Sequence, residues 1–105
     1  MGVKPRPRQL RLGGKLLRIR NALGLSQTGM LKRLGVEGLI PYTQISKYES
    51  SASEPPLIIL LQYTYVAGVH MEVLIDDELD LPDKLPGTAE HATIKRRFAS
   101  RSKRR

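Results

Sequence analysis

Between Pro41 and Glu49, the side chains of Tyr42, Thr43, Gln44, Ser46 and Lys47 bring hydroxyl, amide and ammonium groups into one short stretch that has no carboxylate before Glu49. Such groups donate and accept hydrogen bonds along a surface; they do not by themselves break covalent bonds. The residue types needed for catalysis are scarce. There is no cysteine, which excludes a disulfide framework, a zinc knuckle and a thiol nucleophile, and the only histidines are His70 and His91. No Ser/His/Asp or paired-carboxylate arrangement emerges from the spacing, so we expect no enzyme activity, no cofactor and no metal site. The acids Asp76, Asp77, Glu78, Asp80 and Asp83 crowd together, but not in the order of a calcium loop, which needs a glycine at its sixth position and a closing glutamate. They read as a solvated acidic end that keeps this face off a polyanion or docks a basic partner.

Charge gives the second signal. Eighteen Lys and Arg against ten Asp and Glu leave +8 on 105 residues, which points to a polyanionic partner. The charge lies in blocks: +9 over residues 1–48, −8 over 49–83 with no basic residue, and +7 over 84–105. A body built from the first two blocks would be bipolar, one end suited to phosphates and the other repelled by them. The last eleven residues, KRRFASRSKRR, hold seven basic residues and one large apolar residue, Phe98, too little to fold alone. They read as a disordered basic tail, either a nucleic-acid arm or a solvated end, and the opening Lys4-Pro5-Arg6-Pro7-Arg8 reads as an extended cationic arm.

The length allows one small domain. Apolar runs before Leu25 are interrupted by Lys or Arg, so no secretory signal is expected and the cytoplasm is the expected location. The seventeen uncharged residues PPLIILLQYTYVAGVHM open with two prolines and fall short of the roughly 20 apolar residues a bilayer span needs. A buried core helix is the reading, with no membrane partner.

The periodicity is helical throughout. Leu12, Leu16, Ile19 and Leu23 predict an amphipathic first helix over 10–23, with Arg11, Lys15 and Arg18 elsewhere on the wheel. Gly24 ends it, Ser26 offers an N-cap for a second helix, and Gly35 stops that one; Met30, Leu31 and Leu34 face inward while Gln27, Lys32 and Arg33 face water or a ligand. Pro41 opens a third helix, with Ile45 and Tyr48 inward. Pro56 opens a fourth, whose core stripe is read as Leu57, Leu60, Leu61 and Thr64 before Gly68. A fifth over 72–76 buries Met71, Leu74 and Ile75. Tyr63 and Tyr65 can be packed or exposed; exposed with Ile58, Ile59 and Val66 they form a patch suited to self-association. The fold class is all-α, with a basic arm over 1–9, a domain over 10–81 and a tail over 82–105.

In this order, Arg20, Leu25-Ser26-Gln27, Leu34-Gly35-Val36, Ile45-Ser46-Lys47-Tyr48-Glu49, Glu54-Pro55 and Ala67-Gly68-Val69 resemble the helix-turn-helix family of the lambda-repressor and Cro type, also called XRE-like. The likeness covers about residues 10–77. It implies a compact five-helix lambda-repressor-like domain that binds double-stranded DNA, the third helix entering the major groove while the second crosses the phosphates. Carried over residue by residue, Tyr42, Thr43, Gln44 and Lys47 read bases, Gln44 pairing with adenine and Lys47 with guanine or a phosphate. Ser26, Gln27 and Lys32 hold phosphates, aided by amides at the N-terminus of the second helix. Arg20 and Glu49 sit where the family has a structural ion pair. The sequence departs from the pattern at Leu31, where a small residue is usual, and by about four extra residues after Gly35, a longer connection that allows the two helices a wider separation.

The expectation is a sequence-specific transcriptional regulator acting as a homodimer through its fourth and fifth helices, without a small-molecule substrate. A monomer is the alternative assembly. The alternative functions are an RNA- or ribosome-associated basic protein, in which the tail dominates affinity, and an antitoxin-like interaction module.

Overall fold

The computed structural model describes residues 8–86. The expected tail over Lys95–Arg105 and most of the N-terminal arm lie outside the described residues. Five helices follow one another: α1 (Leu12–Ala22), α2 (Gln27–Leu34), α3 (Thr43–Glu49), α4 (Leu57–Ala67) and α5 (Met71–Ile75). No strand occurs among the described residues.

Local chemistry sets the ends of α2 and α4. The Ser26 hydroxyl accepts the Gly29 amide at 3.0 Å and so starts α2. Gly35 and Gly68 close α2 and α4 in the left-handed region, at φ 73° and 71°, where a side chain would be strained. Pro56 leads into α4 from extended backbone. None of α1, α3, α4 or α5 carries a side-chain cap of its own.

One core joins all five helices. Leu12, Leu16 and Ile19 of α1 meet Met30, Leu31 and Leu34 of α2, Ile45 and Tyr48 of α3, and Leu74 of α5 around the central α4. Leu31 is fully packed in spite of its bulk. Three expectations need correction. On α4 the buried face is Ile59, Leu60, Tyr63, Thr64 and Ala67, whereas Leu57 is 76% exposed and Leu61 half-buried. An 11-residue helix that is apolar nearly all round has no polar face to reveal its inner side. On α5 only Leu74 is buried, with Met71 partly covered and Ile75 exposed. The packed body also runs past Leu81, because Leu85 is buried in the same core.

Two devices lock α1 in place. Gly13 faces the end of α3, where a Cβ would stand 2.7 Å from the Glu49 carbonyl oxygen, 2.9 Å from that of Tyr48 and 2.6 Å from Ser51 Oγ. Only a residue without a side chain permits this approach of backbone to backbone. The neighbouring Gly14 has open space around it.

The second device is a reciprocal clasp between the start of α1 and the end of α5. Lys15, read from the helical wheel as lying off the core, is only 4% exposed. Its ammonium donates to the carbonyls of Val73 at 2.7 Å and Asp76 at 2.8 Å, supplying the cation that carbonyls at a helix C-terminus lack. Burial holds its pKa below the ordinary lysine value. In return, Asp77 accepts the amides of Leu10 at 2.9 Å and Arg11 at 3.1 Å, capping α1 from a distance, and Arg11 also reaches Asp80. Part of the acidic cluster therefore binds this chain's own first helix.

The two glycines separate two effects. Gly13→Ala should destabilise by about 1–3 kcal/mol, since backbone must shift to admit the methyl, while Gly14→Ala should be neutral or stabilise by up to about 1 kcal/mol through helix propensity; urea midpoints compare them. The two amide bonds pull the Asp77 carboxyl below its ordinary pKa, so its contribution is complete above the unfolded value near ~3.9 and vanishes as pH falls through the folded value. Asp77→Ala should lower the thermal midpoint at neutral pH, and the gap to the unmodified protein should close in scans below pH about 4.

Candidate nucleic-acid interface

Helices α2 and α3 pack against each other and carry the candidate polar residues on their outer surfaces. At the start of α3, Tyr42 and Thr43 are exposed, and Ser46 and Lys47 follow on the same exposed side. Gln44 differs. It is half-buried and lies beside the hydroxyl of buried Tyr48, whose pKa is raised by burial and partly lowered again by the Gln44 side chain. To reach a base edge, Gln44 must give up that neighbour.

On α2 the Ser26 hydroxyl accepts the Gly29 amide, which leaves its own proton free to donate outward. The amides of Gln27 and Thr28 precede the first intrahelical bond, from the Met30 amide to the Ser26 carbonyl at 2.8 Å. Gln27 is half-buried beside them and Lys32 is exposed. Ser26, Gln27 and two amides without a hydrogen-bond partner among the described residues thus meet at one helix end, an arrangement that suits an anionic oxygen. Arg33 is less available: it is half-buried, and its Nη1 is enclosed without a hydrogen-bond partner among the described residues.

What holds α3 is the pair Arg20–Glu49. The guanidinium grips the carboxylate with two bonds, Nε to Oε2 at 2.6 Å and Nη2 to Oε1 at 3.1 Å, and its Nη1 donates to the Leu25 carbonyl at 3.0 Å. The side chains are 16% and 6% exposed. The bond to Glu49 raises the Arg20 pKa, which is the signature of a charge held by its partner. One residue therefore ties α1, the turn into α2 and the end of α3 together.

Sequence reasoning missed the connection over 35–42 as a surface feature. Its Val36 is buried and Ile40 packs on the core, but Leu39 between them is 71% exposed. The extra residues after Gly35 were the signal that this segment is longer than a tight turn. Elsewhere, no helix among the described residues is long and apolar enough to cross a membrane.

No family model, curated protein or solved structure matches this chain.

Arg20→Ala should cost about 3 kcal/mol or more, because it strands the nearly buried Glu49 charge. Ser26→Ala removes only a cap and should cost about 1 kcal/mol. Urea unfolding of both variants should rank them in that order; equal effects would mean that the ion pair does not hold α3.

Proposed function

We propose that this chain is a sequence-specific, double-stranded-DNA-binding transcriptional regulator of lambda-repressor-like helix-turn-helix architecture, acting in the cytoplasm, with α3 in the major groove. The observation that carries this reading is the exposed side of α3: Thr43, Ser46 and Lys47 project outward in a stretch with no carboxylate before Glu49, and Glu49 itself is turned inward to Arg20. A surface of donors and acceptors without free negative charge suits the edges of bases flanked by phosphates.

The parts divide the work. The start of α2, with Ser26, Gln27 and two open amides, takes a phosphate and fixes the register, and Lys32 adds a cationic contact. Thr43 and Lys47 then meet base edges, with Tyr42 at the entry to the helix. Gln44 joins them only by leaving Tyr48, so its contribution depends on that exchange.

Self-association completes the reading. Leu57, Ile58 and Tyr65 of α4 are exposed on a helix that carries no charge at all. A second copy docked there leaves α3 uncovered, because α3 packs on α1 and α2. Two-fold binders of this kind read half-sites about one DNA turn apart.

Selection of bound sequences from a random duplex pool tests the proposal, using the full chain and a Thr43→Ala/Lys47→Ala double variant at near-physiological salt. The intact protein should enrich one motif, arranged as an inverted repeat, and the variant should lose or change it. Binding without enrichment that collapses as salt rises would reject groove readout and favour a non-specific RNA- or ribosome-directed role for the basic termini.

A further inference from the structure

The connection between α2 and α3 is folded on itself by backbone hydrogen bonds and leaves one apolar side chain exposed. Gly35 turns the chain in the left-handed region, and the Val36 amide bonds back to the Leu31 carbonyl at 3.3 Å. The amides of Leu39 and Ile40 then both converge on the Val36 carbonyl, at 3.0 and 3.3 Å. At the far end the Gln44 amide closes onto the Pro41 carbonyl at 3.0 Å. Val36 at 3% exposure and Ile40 packed on the core pin the loop from below. Leu39 stands on this support with most of its side chain in water, four residues before Thr43 and three before exposed Tyr42.

We propose that this connection is a second base-contacting element, in which Leu39 lays its isobutyl group against the C5-methyl of a thymine adjoining the bases met by α3. The inference rests on the DNA-binding reading of α3 and deepens it by naming one base and the group on it that is recognised. An exposed leucine is ordinary by itself; three features give this one an occupant. It is held by backbone hydrogen bonds instead of swinging on a loose loop, so its position is available before any partner arrives. It precedes the exposed start of α3 by four residues, which keeps it within reach of a surface that α3 meets. And each of the two helices that the loop connects exposes a lysine, Lys32 on α2 and Lys47 on α3, which favours a polyanion as the common partner.

The one charge on the loop sets the direction of approach. Glu37 is exposed and is the only acid before Glu49. Laid along a phosphate strand, the loop would bring Glu37 against like charge. Presented over base edges it lies farther from the phosphates, and a carboxylate there can accept from the N4 amino group of cytosine. The thymine methyl is the apolar group that the major groove offers to a leucine.

The test uses the full chain and the duplex motif selected as above, with each thymine replaced in turn by deoxyuridine, which removes only the methyl. The intact protein should lose about three- to five-fold in affinity at one thymine, as expected for one methyl group returned to water. Leu39→Ala should bind the thymine and uracil duplexes equally at that position while keeping its preferences elsewhere and an unchanged thermal midpoint. Thr43→Ala should do the reverse, altering other positions and retaining the thymine preference. A Leu39→Ala protein that keeps the thymine preference, or an intact protein indifferent to every methyl, overturns the proposal while leaving groove readout by α3 in place. Loss of self-association in Leu39→Ala with DNA affinity intact also overturns it and assigns the leucine to a protein contact. Failure to select any motif would remove both readings together, which marks that result off from the others.

Discussion

Helix α3 has seven residues, fewer than two full turns, and a helix that short has no stability of its own in water. Its conformation is supplied from α1. Gly13 lets the backbone of α1 come against the last carbonyls of α3, and seven residues further on Arg20 reaches round to grip Glu49 and the Leu25 carbonyl. Glycine allows the approach, and the guanidinium fixes its direction. The floor beneath is apolar and includes Tyr63, whose hydroxyl is buried without a hydrogen-bond partner among the described residues and whose pKa is driven up by burial and then by the Glu49 charge. Charges exchanged above such a floor are weakly screened, so the pair acts as a rigid joint in a way that an exposed ion pair does not.

The start of α1 is held by a second, different exchange. Asp77 supplies acceptors where α1 begins, and Lys15 supplies a donor where α5 ends. Each helix thereby receives from the other what its own sequence lacks, since α1 has no acid in its first turn and α5 no base in its last. With α1 fastened to α3 on one side and to α5 on the other, any movement of the outer face of α3 requires α1 to move too. A surface that is to meet a ligand in fixed register benefits from such a frame.

The features legible from sequence are those decided within a few residues. Ser26, Gly35 and Gly68 announce their helix ends because a cap is a local event, and Ile45 and Tyr48 announce the inner side of α3 because polar residues mark its outer side. The illegible features are tertiary. A lysine on a helical wheel carries no sign that another helix will end against it, as α5 does at Lys15. Nothing local distinguishes Asp77, which caps a helix 66 residues away, from Asp76 beside it. On α4 the uniform apolar sequence conceals that Leu57 points outward and Tyr63 inward. At the candidate interface the same division holds: the exposure of Thr43 and Lys47 follows from helical phase, but the half-burial of Gln44 depends on Tyr48 below it, and the prominence of Leu39 on Val36 and Ile40 being drawn into the core.

The fold also revises the meaning of the charge blocks. Read along the chain, the +9 and −8 segments suggest a body with two opposite poles. Folded, they meet: Arg8 pairs with Glu54 at 3.3 Å, Arg11 with Asp80, Arg20 with Glu49, and Arg18 lies 4.0 Å from Asp83, while Lys15 is spent on α5 carbonyls. Five of the eight basic residues described before Glu49 are thus engaged within the chain. Among the described residues before Glu49, Lys32 and Lys47 are left exposed with no ion pair drawn to them, and both lie on the pair of helices that also presents Ser26 and Thr43. Two cations give a weak, salt-sensitive attraction for phosphates, about one released counterion each. If the folded body binds DNA, most of its selectivity must come from uncharged contacts, and that places the burden on the hydroxyl, aromatic and apolar groups at the start of α3 and on the loop before it.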